Sequence, residues 1–225
     1  MRVLITSAGR RTSLVRAFKE AAARRGWEVL AGDIDPLAPA LYLADQGVYL
    51  PRVVSPSYID ELLSIVRTRN VRLVVPTIDT ELMPLAEARE GLLDAGCVAL
   101  VSSPNAVRVF MDKWETVRFF RDHGITTPRS WLPNELKGAE LPERLFVKPR
   151  KGSASKSTYR VTRENLRAVL PLVEDPIVQE YVPYPEITID ALLDLEGKPI
   201  HYVPRRRLKT VGGESVEGVT IPDDE

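Results

Sequence analysis

The sequence predicts an α/β protein, with a Rossmann-like, doubly wound front domain followed by an α+β region. Three observations carry this. Over the first hundred residues, short and almost wholly apolar runs alternate with amphipathic stretches, the pattern of a parallel sheet covered on both faces. Around residues 125–128 an extended segment ending at Pro128 interrupts that alternation, because the residue before a proline avoids helix. Beyond residue 144 the strands follow one another with period-2 alternation and turn signals between them, which is antiparallel grammar.

The front half can be justified element by element. Val3, Leu4 and Ile5 form a first buried strand. Residues 13–25 follow as a helix whose inner face carries Leu14, Val15, Phe18, Ala21 and Ala22, with Gly26 where it stops. Residues 27–31 are the second strand, ending in Gly32, Asp33, Ile34, Asp35 and Pro36, and residues 48–50 are a weaker third. Ser57 is placed to cap a helix bearing Ile59, Leu62, Leu63 and Val66, with Asp60 at the capping-box position. Residues 71–75 are strongly apolar and end at Pro76. A helix with Pro84 in its first turn runs to about Asp94 and is stopped by Gly96, and residues 98–101 give the next strand. The loop TSAGRRTS after the first strand has only Gly9, so it is not the G-x-G-x-x-G of a dinucleotide site. Asp33, Asp35 and Asp79 gather beyond the carboxyl ends of strands, where such sheets bind ligands; solvated turn carboxylates and substrate contacts fit them equally well.

Composition narrows the setting. With 31 basic and 31 acidic residues the 225-residue chain has no net field to draw nucleic acid or an anionic membrane. The single cysteine, Cys97, excludes an internal disulfide, lies in an apolar run as a structural thiol would, and suits a reducing cytoplasm. No apolar stretch reaches the length of a membrane span.

In the second half, a helical stretch opens at Ser103-Pro104, carries Lys113 and ends near Asp122, where His123 suits the helix dipole. Residues 133–144 read as loop. Leu145, Phe146 and Val147 form a buried strand that delivers Lys148 to its end. A segment with Gly152, Ser153, Ser155 and Ser157 follows, flanked by Arg150, Lys151 and Lys156, and a second strand over 158–161 closes a hairpin. Small residues let backbone amides approach an anion, and the cations make the segment a phosphate cover as readily as a mobile polar loop. A helix over 163–173 capped by Thr162, and strands over 177–182, 186–194 and 200–207, complete the pattern.

Taken in order, the segments SSPNAVRVFMDKWETVRFFRDHGITTPRS, VKPRKGSASKS, VQEYVPYPEITIDALLD and VPRRRLKTVGGES resemble the ATP-grasp superfamily, and within it the carbamoyl phosphate synthase large-subunit-like branch. The resemblance implies a pre-ATP-grasp domain over 1–103, a helical connection over 104–127, an ATP-grasp N-terminal subdomain over 128–182, and the start of the C-terminal subdomain over 183–225. It assigns Lys113 and Lys148 to nucleotide phosphates, and Gly152, Ser153 and Ser155 to the loop that covers them. Gln179, Glu180, Tyr181 and Val182 become the hinge that reads adenine, and Glu186 a ribose partner. Arg205 and Arg207, which share one strand face while Arg206 points away, lie near the γ-phosphate and acceptor. The implied chemistry is ATP-driven activation of a carboxylate to an acyl phosphate that an amine attacks. ATP and Mg2+ are the cofactors, and small-molecule carboxylates and amines the substrates. Neither nucleic acid nor membrane is a partner.

Two departures qualify the likeness. Ala154 and Ser157 stand where the family commonly has glycine, at a cost of roughly 1–2 kcal/mol wherever φ must be positive. Nothing between Gly212 and Glu225 matches the family's E-x-N metal motif, so the metal ligands are expected beyond residue 225 and the chain reads as truncated. Alone it should bind nucleotide weakly and turn over little. A second chain supplying the rest of the fold, or a homodimer, is the partner this implies. The competing readings are a non-catalytic module for adenine nucleotides or metabolites, and an unrelated Rossmann-type enzyme using NAD or a nucleotide sugar.

Overall fold

In the computed structural model, residues 1–152, 155–211 and 214–222 are described. The chain divides into two compact units, Met1–Phe110 and Met111–Glu225.

The first unit is built on a five-stranded, all-parallel sheet in the order β3-β2-β1-β4-β5. The strands are β1 (Arg2–Ile5), β2 (Glu28–Asp33), β3 (Gln46–Tyr49), β4 (Val71–Val75) and β5 (Val98–Ala99). Side chains alternate across the sheet, so adjacent residues serve opposite layers. Leu4, Leu30 and Val74 pack with Leu62 and Val66 of α3 (Tyr58–Thr68), Leu85 of α4 (Leu82–Glu87) and Leu92 of α5 (Arg89–Asp94). Ile5, Val29 and Ala31 pack with Val15 and Ala22 of α1 (Thr12–Ala23) and Ala40 of α2 (Pro39–Leu43). Cys97 is fully buried in the first of these layers, and burial pushes its thiol up to about 11.

Two expectations need correction in this unit. Ser57 does not form a capping box; it has helical backbone angles, and its hydroxyl donates to Glu61 at 2.9 Å instead. The helix expected to run through Pro84 to Asp94 breaks at Ala88 into α4 and α5. Asp33 works locally, one oxygen accepting from the Gly9 amide at 2.7 Å and the other from the Asp35 amide at 2.9 Å. A second buried carboxylate at the strand ends, Glu81, is one the sequence did not single out. It is wholly inaccessible and accepts from the Thr6 hydroxyl at 3.0 Å and the Tyr58 hydroxyl at 2.6 Å.

The second unit holds two antiparallel sheets. One has the order β6-β9-β7-β8, from β6 (Ser130–Trp131), β7 (Arg144–Pro149), β8 (Tyr159–Thr162) and β9 (Pro176–Glu180). Leu145, Val147, Val161 and Val178 form its buried face, closed by Leu166 of α8 (Leu166–Val169). The other sheet has the order β10-β11-β12, from β10 (Ile187–Leu193), β11 (Pro199–Val211) and β12 (Glu214–Thr220). The helix expected over 163–173 is only α8 and a 3-10 turn at Leu170–Leu172, because β8 extends through Thr162 and leaves it unable to cap. The single helical stretch expected from Ser103 to Asp122 is two helices, α6 (Pro104–Met111) and α7 (Lys113–Asp122), parted at Asp112. Among the described residues no helix is long and apolar enough to cross a membrane.

Candidate functional site

Phe146 and Lys148 alternate with the buried Leu145 and Val147 along β7, so they project from the sheet's other face. There they line a cavity of about 700 Å³. Among the described residues, five of its lining side chains are cationic, Lys113, Lys148, Lys151, Lys156 and Arg207, and one is acidic, Glu186. Gly152 and Ser155 of the β7–β8 connection complete its wall, with Thr158 and Pro149.

Lys148 is the electrostatic centre. Desolvation by burial, and secondarily the charge of Lys113, hold its ammonium below the usual lysine range; Glu186 pulls the other way and is outweighed. Its Nζ lies 5.7 Å from the centre of the Phe146 ring. It has no ion-pair partner among the described residues. A cation left in a low-dielectric cleft beside another cation is a site arranged for an anion.

Lys113 reaches the same cavity from the first turn of α7. Its Nζ donates to the carbonyl oxygens of Gly152 at 2.9 Å and Arg150 at 3.3 Å. Gly152 has φ +92, a conformation that only glycine adopts without strain. Ser155 (φ 52) and Ser157 (φ 50) also take left-handed angles, so Ser157 carries the strain anticipated for a residue in place of glycine. Ser153 and Ala154 lie outside the described residues, as do Gly212 and Gly213.

The structure thus brings Lys113, Lys148, Gly152, Ser155, Glu186 and Arg207 to one cavity. Glu186 is already engaged there, accepting from the Arg207 guanidinium at 2.5 Å. Arg205 and Arg207 are half-buried and Arg206 exposed, in keeping with strand alternation, yet Arg205 does not line the cavity; its guanidinium pairs with Asp190. Gln179, Glu180, Tyr181 and Val182 do not line it either. The Gln179 amide, nearly buried, donates to the Ser130 hydroxyl at 2.8 Å, and hydrogen bonds from Arg129 hold the Glu180 carboxyl below its usual range. The backbone amides of Glu180 and Tyr181 donate to the carbonyls of Arg129 (2.8 Å) and Arg144 (3.1 Å). The Tyr181 ring lies near the guanidiniums of Arg144, at 5.5 Å, and Arg160, at 5.1 Å, on a separate cavity of about 410 Å³.

Arg150, grouped by sequence with the phosphate-facing cations, is instead turned away onto Asp112. No local signal marks that contact, since the partners are 38 residues apart; the only hint is that aspartate is a strong N-cap residue directly before Lys113.

A lysine from a strand end and a second from a helix start thus share one cationic cleft in the second unit. Residues 110–224 match the ATP-grasp domain, and residues 3–100 match the PylC-like N-terminal domain. The chain belongs to the ATP-grasp family. Its fold is similar to that of an L-amino acid ligase from Bacillus licheniformis (20% identity, TM-score 0.72, 99% of this chain and 57% of that one). It is also similar to N5-carboxyaminoimidazole ribonucleotide synthetase from Thermotoga maritima (17% identity, TM-score 0.63, 90% and 53%). A third likeness is to the biotin carboxylase domain of Hydrogenobacter thermophilus 2-oxoglutarate carboxylase, a dimer in complex with MgADP, ADP and bicarbonate (15% identity, TM-score 0.69, 95% and 51%). The chain spans about half the length of these proteins. No match was found among the curated proteins.

Proposed function

We propose that this chain is the ATP-binding portion of an ATP-dependent carboxylate–amine, or related, ligase acting through an acyl phosphate. The observation that carries the reading is the pairing of Lys113 with a desolvated Lys148 in one cationic cleft. In the proposed reaction a substrate carboxylate oxygen attacks the γ-phosphorus of ATP and ADP leaves. An amine then attacks the acyl carbon and expels phosphate. The protein's part in such a transfer is positioning and charge stabilisation.

In this reading Lys113 and Lys148 hold phosphate oxygens, and the loop with Gly152, Ser153 and Ser155 covers them. Gln179 to Val182 offer the hinge. The Glu180 and Tyr181 amides are already spent, so Val182 N–H is the donor proposed for the adenine edge. Glu186 would meet the ribose after release from Arg207, and Arg207, with Arg205 beside it, would stabilise charge at the transferring phosphoryl group. Residues 128–182 and 183–225 act as the two walls. The described residues do not themselves make a site for magnesium, the usual partner of such phosphates. Among the described residues no group of three or more His, Cys, Asp or Glu side chains converges, and Glu186 is taken up by Arg207. The cytoplasm, rich in ATP and reducing toward Cys97, is the proposed setting.

Thermal unfolding with and without nucleotide tests the reading. At ~100 times its dissociation constant, ATP should add about 2.7 kcal/mol, or roughly 5–10 °C in a chain of this size. AMP should do less, and Lys148→Ala should abolish the ATP shift. No shift with any adenine nucleotide, or equal shifts in wild type and Lys148→Ala, would sink it.

A further inference from the structure

Asp112 has been given no role in binding above, yet among the described residues it is the one charged side chain buried in the second unit, with 5% exposed. It stands between α6 and α7 in an extended conformation (φ −114, ψ 115) and caps α7 through the amides of Trp114 at 2.9 Å and Glu115 at 3.4 Å. The same carboxylate takes a two-pronged contact from Arg150, with Nε at 3.2 Å and Nη2 at 2.7 Å. The neighbouring backbone closes a ring: the Arg150 carbonyl accepts from the Lys113 amide at 3.0 Å and from Lys113 Nζ at 3.3 Å. Arg150 is itself fixed from the other side, its amide donating to the Asp175 carbonyl at 3.0 Å. The start of the helix that bears Lys113 is thereby tied to the chain two residues past Lys148.

We infer that Asp112 and Arg150 are a positioning pair: their contact sets the separation of the Lys113 and Lys148 ammonium groups and so lets the cleft select for the length of a phosphate chain. The inference rests on the nucleotide reading given above. A lysine is a point charge on a flexible stem, so two of them act on one polyanion only if their backbones are held together. The rigid guanidinium fork provides this where a third lysine would not. Burial alone would raise the Asp112 carboxyl; hydrogen bonds from Arg150 and the Trp114 and Glu115 amides outweigh that and keep it ionised.

The test is calorimetric binding of ATP and AMP to the 225-residue chain and to Asp112→Asn and Arg150→Lys. Asparagine still caps a helix, so lost capping predicts no effect in the first variant, and lysine still carries charge, so lost charge predicts none in the second. The expected result is ATP affinity about tenfold weaker in both variants, the worth of one charge-assisted hydrogen bond, with AMP changed less than about twofold. The ratio of the two affinities, rather than either alone, reports positioning. Variants that bind ATP as the wild type does would overturn the pair's role, as would equal losses for ATP and AMP. If both variants failed to fold, the pair would be structural and the inference again overturned. Wild-type protein that binds no ATP would refute the nucleotide reading itself, a separate outcome.

Discussion

Lys148 carries its charge where burial and a second lysine both oppose it, and this opposition gives the residue a measurable signature. Its folded-state pKa is below the 10.5 of a free lysine. Between those two values the unfolded chain holds a proton that the folded chain has lost, so ligand-free stability should rise with pH across that window; below the folded pKa the cost is present in full. Urea unfolding from neutral to alkaline pH should show wild type gaining on Lys148→Met. At pH 7 the variant should be as stable as wild type or more so, while having lost its response to ATP. A variant that is less stable and still responds would overturn the assignment. ATP affinity should also fall as pH rises through that pKa, because the ammonium is lost. Lys113 and Lys148 were singled out by the order of the motifs that hold them, since a lone helical lysine carries no signal of its own. The Asp112–Arg150 contact was not, since nothing in either segment names a partner 38 positions away.

Among the elements, α7 depends on its first turn. Removing the Asp112 carboxylate by substitution with alanine loses a cap and strands the Arg150 guanidinium, together about 2–4 kcal/mol by denaturant unfolding. Because the folded Asp112 pKa is lowered, its stabilisation is present above the unfolded value and is lost as pH falls through the folded one, an acid-side effect that the alanine variant should lack. The β7–β8 loop makes a second prediction. Ser157→Gly relieves a left-handed serine, and its stability gain, at most ~1 kcal/mol, is reduced by the greater freedom of glycine when unfolded. Loss of stability in that variant would mean the serine side chain is needed. Helix boundaries were the least legible feature. Hydrophobic periodicity runs smoothly through Ala88 and Asp112, where backbone and capping interactions break the helices. The strands β6 and β12 were not anticipated, the first being two residues long and the second rich in polar residues.

At the scale of the molecule, the parallel sheet was readable because each buried strand is an apolar run with little choice of environment. The second unit was readable mainly from motif order, since its three-stranded sheet has few buried residues. On that sheet Ile187, Ile189, Ile200, Tyr202 and Val219 are each more than 40% exposed, and the strand register sets them on one face. Such a face should bind an apolar fluorescent dye, and Ile189→Lys should reduce that binding and raise solubility without altering ATP affinity. Unchanged dye binding would mean the face is not the one being probed. The single cysteine of the chain offers a different kind of access. Sealed in the helix-covered layer of the first unit and held almost wholly as thiol, Cys97 should ignore alkylating reagents at neutral pH until that unit opens. The rate at which it is labelled therefore times the breathing of one half of the protein, with no probe needing to be engineered in.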